Sequence, residues 1–203
     1  MAKASHLIVF FDLETTGLDT AKDEIIEFAA AVVGGASFSS LVQLQSMEEI
    51  PAEATAIHGI RTQDLAEAPT FDELMEAFAR WLNTQHEGYQ TKQILLVAHN
   101  CFDYDRRILT AACRRANLTL DPTLVFSDSL FAMRRTIKCK SYALSANCEG
   151  KQSHRALGDV ELLMKWIHTL PESAAFYQVL VEIRQPKLLY AEKEAWATIH
   201  ASQ

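Results

Sequence analysis

The run Leu7-Ile8-Val9-Phe10-Phe11-Asp12-Leu13-Glu14-Thr15-Thr16-Gly17 decides how the rest of this 203-residue chain is read. Its first five residues are all apolar and rich in β-formers, the composition of a buried strand. Asp12 and Glu14 follow at i and i+2. Side chains alternate across a strand, so both carboxylates point to the same side. Two like charges at the end of an apolar strand are costly unless something neutralises them. A divalent cation does so, and oxygen-only ligands on a rigid strand suit Mg2+ or Mn2+ rather than zinc.

Outward from that strand, Glu24–Val33 is a second apolar segment closed by Gly34-Gly35, and Phe38–Leu44 reads as a third strand, giving an antiparallel meander. Ala52–Ile60 reads as a short helix ending at Gly59. Thr70-Phe71-Asp72-Glu73 is a capping box opening a helix with Leu74, Phe78, Trp81 and Leu82 on its apolar face. Ile94–Ala98 is a further buried strand, Asp105–Ala116 a helix and Leu124–Phe126 a short strand. Ser129–Arg135 and Tyr142–Asn147 read as short helices, and Ala156–Leu170 as an amphipathic helix ended by Pro171. The tail, 172–203, holds two more helical stretches around Pro186. A meander followed by alternating helices and strands indicates an α/β or α+β domain.

Two more segments carry chemistry. In Val97-Ala98-His99-Asn100-Cys101-Phe102-Asp103-Tyr104-Asp105, a strand runs through a polar turn into a helix. Counting from Asp105, the core-facing places at +3 and +4 hold Ile108 and Leu109; counting from Asp103, they hold Arg106 and Arg107. That register selects Asp105 as the carboxylate presented at the junction. In His154-Arg155-Ala156-Leu157-Gly158-Asp159, a His precedes a helix whose first turns carry Asp159. Asp159 could complete a metal site, and a nearby His is suited to take a proton near neutral pH.

Composition bounds the reading. At 49% hydrophobic and 22% charged residues, the chain is an ordinary globular one, not a disordered, collagenous or coiled-coil one. No apolar run approaches the roughly 20 residues of a membrane helix, and no secretory or transit signal is evident, so a cytoplasmic or nuclear location without a membrane partner is expected. The four cysteines, Cys101, Cys113, Cys139 and Cys148, form no Cys-x-x-Cys pair and read as reduced thiols. The net charge of −7 conceals an asymmetry: residues 106–155 hold ten Lys/Arg and three Asp/Glu, while the rest of the chain is strongly acidic. A polyanion beside a cation-binding cluster fits that distribution.

Together, these segments resemble the DEDDh 3′–5′ exonucleases, the DnaQ-like group with an RNase H-like fold, over roughly residues 5–170. Asp-Leu-Glu-Thr-Thr-Gly is the specific block; His154 and Asp159 stand five apart as that group's pattern requires. Tyr104-Asp105, one place later than the commoner spacing, is similar to the three-prime repair exonucleases. The resemblance implies a mixed five-stranded sheet flanked by helices, forming an exonuclease domain over 5–170 with a helical extension over 171–203 packed on it. It implies two Mg2+ ions, replaceable by Mn2+, with Asp12 bridging, Glu14 and Asp159 completing one site and Asp105 the other. His154 would be the general base in hydrolysis of a single strand, DNA favoured over RNA, from its 3′ end to nucleoside 5′-monophosphates. Thr15, Thr16, His58, Asn100 and Tyr104 are the expected substrate contacts. Arg134, Arg135, Lys138 and Lys140 would hold the incoming phosphates, and Arg155 either a phosphate near the metals or only solvent. A homodimer, a polymerase or repair partner, and a non-catalytic scaffold on the same fold are the other expectations it leaves open.

Overall fold

A computed structural model of the chain describes residues 6–46, 49–86, 93–147, 154–171 and 173–184. The leading strand β1 spans Leu7–Thr15, running through the two acids rather than stopping at Phe11. β2 (Ile25–Val32) pairs antiparallel with it and β3 (Ser37–Leu41) with β2. The helix α1 (Ala52–His58) ends on Gly59, whose φ of 74° is the left-handed turn that favours glycine. A single 3-10 turn (Thr62–Leu65) leads into α2 (Phe71–His86), where the Glu73 carboxylate accepts from both the backbone N–H and the hydroxyl of Thr70. β4 (Ile94–Ala98) then pairs parallel with β1, α3 (Asp105–Arg115) follows, and β5 (Leu124–Asp128) pairs parallel with β4. Three helices come next: α4 (Ser129–Thr136), α5 (Leu144–Asn147) and α6 (Ala156–Thr169). The helix α7 (Ser173–Glu182) is the first of the two helical stretches expected in the tail; the second, with Cys148, lies outside the described residues.

The sheet order is β3-β2-β1-β4-β5, the mixed five-stranded arrangement expected. Strand parity sorts the core. Val9, Phe11 and Leu13 of β1 pack with Phe28, with Leu74 and Phe78 of α2, and with Ile108 and Leu109 of α3. Phe10 faces the other way, into a cluster with Leu95 and Val97 of β4, Val160, Leu163 and Ile167 of α6, and Phe176 and Leu180 of α7. The α7 helix is thus tied to the domain core, and its Leu180 carbonyl accepts a hydrogen bond from the buried Ser127 hydroxyl. Each large side chain buried this way contributes about 1.5–3 kcal/mol.

The same parity places the acids. Asp12 and Glu14 continue the Phe10 row, so they face the α6 side of the sheet. β1, β4 and β5 run parallel, so their C-terminal ends share one edge, where ligands bind in open α/β sheets.

Candidate active site

Ligand oxygens of Asp12, Glu14 and Asp159 all lie within 4.8 Å of one another. Asp159 enters from α6, which crosses the sheet face carrying the other two; its backbone N–H is held by the Arg155 carbonyl at 3.0 Å. Asp105 stands at the first position of α3, buried, with Ile108 and Leu109 fully buried one turn on, as the register argument requires. Asp103 is exposed. Asp105 lies outside the tight trio yet is the largest charged influence on Asp12. Asp12 is thus the carboxylate on which Asp105, Glu14 and Asp159 all act.

Burial first, and then neighbouring negative charge, raises Asp12, Glu14 and Asp105. Asp12 is pushed well above the usual carboxylate range by burial and by Asp105, Glu14 and Asp159. Burial raises Glu14 to about 8, with Asp159 and Glu27 adding and Arg155 opposing. Asp105 rises to about 7 by burial, with the buried Asp128 adding to it. An oxygen-only cluster with this much uncompensated negative charge fits a hard divalent cation. His154 precedes α6, half-buried, with a φ of 48° that non-glycine residues rarely adopt.

A family model described as exonuclease, of the RNase T type, matches residues 9–167, which takes in all five of these positions. The chain belongs to the RNase T exonuclease family. Among its relatives, it is 31% identical over 174 residues to the chloroplast and mitochondrial exonuclease DPD1 of Arabidopsis thaliana, covering 78% of this chain and 54% of that protein. It is 31% identical to the PolC-type DNA polymerase III of Bacillus cereus over 86% of this chain but only 12% of the polymerase. The chain therefore spans about half or less of these first relatives. With three prime repair exonuclease 2 of Mus musculus it shares 30% identity over 85% of this chain and 87% of the other. Of solved structures, cell-death related nuclease 4 aligns with a TM-score of 0.64 at 18% identity, covering 79% of this chain and 62% of the other. A full-length 3′-exonuclease aligns with a TM-score of 0.67 at 16% identity, covering 82% and 60%. Both share the fold.

In this RNase T family member, several expected substrate contacts are engaged in holding the site's own loops. Thr15 Oγ1 donates to the Gly17 carbonyl at 2.8 Å and lies 2.6 Å from the Tyr104 hydroxyl, which itself reaches that carbonyl at 2.7 Å. Thr16 Oγ1 donates to Asp23 at 2.8 Å and accepts the Glu24 N–H at 2.9 Å. Asn100 takes a left-handed φ of 69°, and its carbonyl accepts the Tyr104 N–H at 3.1 Å, closing the turn before α3. His58 is buried; its Nδ1 accepts the Ile60 N–H at 3.0 Å, which leaves the proton on Nε2, near the Thr15 carbonyl but with no partner in hydrogen-bonding geometry. Arg134, Arg135, Lys138 and Lys140 are all exposed, as a phosphate track needs.

Two functional candidates escape a reading of the sequence or are misjudged by it. Glu27 sits inside the fully buried strand β2, directly opposite Glu14 in the ladder. Its signal is an acid in an otherwise apolar run, Ile25–Val32. Arg155 does not stand free for a phosphate: its Nε and Nη2 both bond the Glu27 carboxylate, at 3.0 and 2.6 Å.

Proposed function

We propose that this chain is a divalent-metal-dependent 3′–5′ exonuclease acting on single-stranded nucleic acid, with DNA favoured over RNA. The observation that carries the proposal is the convergence of Asp12, Glu14 and Asp159 within 4.8 Å, with Asp105 beside Asp12 and His154 at the head of the helix that brings Asp159. Those four carboxylates would hold two Mg2+ ions, replaceable by Mn2+. The ions supply Lewis-acid stabilisation of charge on a phosphodiester and its leaving oxygen. The chain's own work is placement. Asp12, on which Asp105, Glu14 and Asp159 all act, is the carboxylate we assign to both ions. His154, half-buried at the residue before the N-cap of α6, would accept the proton of the attacking water as it closes on phosphorus. Leaving the 3′-oxygen on the remaining strand gives a nucleoside 5′-monophosphate.

An unpaired end is the substrate this reading favours. Leu18 is 85% exposed beyond the Thr15–Gly17 turn, and Ile57 is 59% exposed next to His58. Both offer apolar surface against which a terminal base can rest. The exposed cations of α4 and the segment after it attract the strand's phosphates without reading sequence. The name of three prime repair exonuclease 2 supports action at 3′ ends. The polymerase relatives favour work alongside a polymerase as a second setting for the same chemistry, tested by co-purification with a polymerase subunit.

The test uses 3′- and 5′-labelled single-stranded DNA and RNA oligonucleotides with Mg2+, Mn2+ or EDTA, beside Asp12→Ala. Stepwise shortening from the 3′ end, abolished by EDTA and by the substitution, is expected, with DNA cut faster. A folded protein with metal that shortens neither polymer would overturn the proposal in favour of a scaffold.

A further inference from the structure

We infer that Glu27 and Arg155 form a clamp that positions His154 and Asp159 together, rather than a structural ion pair or a phosphate-binding arginine. The inference rests on the exonuclease reading for its kinetic arm only. Glu27 is 3% exposed and lies on the same sheet face as Glu14, its cross-strand partner. There it adds repulsion to a site already overloaded with negative charge, since it raises both Asp12 and Glu14. A buried carboxylate in that place is destabilising unless fully partnered. Its hydrogen-bond partners are two consecutive residues at the head of α6. Arg155 donates Nε to Oε1 and Oε2 at 3.2 and 3.0 Å and Nη2 to Oε1 at 2.6 Å, while the Ala156 backbone N–H donates to Oε2 at 3.0 Å.

That last bond gives the clamp its meaning. The N-cap residue of α6, Arg155, makes no side-chain cap hydrogen bond. Glu27 supplies the missing acceptor from across the sheet, at the positive end of the helix. The residue before the clamped pair is His154, held at a φ of 48°. Such a conformation is unfavourable for a side chain with a Cβ and persists only where the surroundings impose it. One turn into the same helix is Asp159. A single carboxylate therefore fixes the start of α6, and with it both the base and the third carboxylate of the trio. A bidentate guanidinium grips a carboxylate in one orientation, which an ammonium does not. Half of the Arg155 side chain remains exposed, so the grip is reachable by solvent and can be loosened without unfolding the core.

The experiment compares the whole chain with Glu27→Gln, Arg155→Lys and the double variant; Glu27→Ala is avoided because it empties a buried site and leaves the guanidinium and the Ala156 N–H with no acceptor at all. Hydrogen exchange is read at the Ala156–Val160 amides, Mn2+ affinity by titration of free Mn2+, and kcat and KM on a single-stranded oligonucleotide. The clamp predicts at least roughly tenfold faster exchange at those amides in each single variant, with Mn2+ binding weakened several-fold through Asp159. It also predicts kcat lowered about 10–100-fold with KM within about twofold, and a double variant no worse than the poorer single. A raised KM with kcat kept in Arg155→Lys would show a phosphate ligand and overturn the clamp. Unchanged exchange and unchanged kinetics would show an inert ion pair. If the unaltered chain cleaves nothing, the functional reading fails, while the exchange and Mn2+ results still decide the clamp.

Discussion

Replacing Asp12 by Asn should stabilise the metal-free protein and abolish its response to metal. The two carboxylates nearest to Asp12 in the trio lie within 4.8 Å of it. At an effective dielectric of about 20, two unit charges at that distance repel by about 3 kcal/mol. Not all of this is realised, because burial and repulsion favour the protonated forms; Glu14 is pushed up to about 8. Asn keeps the shape of Asp and removes one charge. At about pH 8.5 in EDTA, a net gain of about 2 kcal/mol remains, or a rise in melting temperature of roughly 4–8 °C for a chain of this size. With excess Mg2+ the order reverses. The unaltered chain gains about 2.7 kcal/mol at a metal concentration of about 100 Kd, whereas the variant, lacking its central ligand, gains little. Thermal unfolding followed by circular dichroism, with and without metal, reads both effects. A variant that melts below the unaltered chain in EDTA would refute the reasoning, because the cluster would then be held together by Asp12 rather than strained by it.

The same electrostatics set a pH dependence. Glu14 at about 8 against a usual 4.5, and Asp105 at about 7 against a usual 3.8, keep their protons when the unfolded chain has lost them. Metal-free stability should therefore be greatest at acid pH and fall as pH rises from about 4 to 8, and the melting gain on adding Mg2+ should grow over the same range; a flat metal-free profile would contradict it. Tyr104→Phe removes the hydroxyl shared with Thr15 Oγ1 and the Gly17 carbonyl, for an expected loss of about 1–2 kcal/mol in urea unfolding; no loss would assign that hydroxyl to substrate instead. Substituting Ala for Arg134, Arg135, Lys138 and Lys140 should weaken binding of every single strand alike. The log–log salt slope should drop by about 0.7 for each phosphate no longer neutralised, as fluorescence anisotropy at several salt concentrations would show.

Periodicity in the sequence carries the fold and spacing carries the site, and the places where both fall short have local causes. β1 is legible only to Phe11, because Asp12 and Glu14 break the apolar run while the ladder with β2 continues to Thr15. β5 likewise extends past Phe126 to the polar Ser127 and Asp128, both buried. Asp105 is legible because α3 has one core-facing stripe. Arg106 is not: it is buried at the next position, its guanidinium 5.4 Å over the Phe102 ring, an arrangement that no helical period announces. Glu27 and Arg155 are far apart in sequence, and an arginine beside a histidine reads as well for a phosphate as for a carboxylate. Only the antiparallel register of β1 and β2, with α6 laid across it, brings the two together.

The order in which the site's parts occur along the chain has a consequence for synthesis. Among the described elements, β1 delivers Asp12 and Glu14 first, and α6 delivers Asp159 only after every strand of the sheet. A growing polypeptide therefore holds two of the three clustered carboxylates, without His154, until the whole sheet has been made. The cluster is completed only when α6 has left the ribosome and closed over the sheet. A fragment that stops before α6 holds Asp12, Glu14 and Asp105 but neither His154 nor Asp159, so the proposed site stays incomplete until α6 has been made.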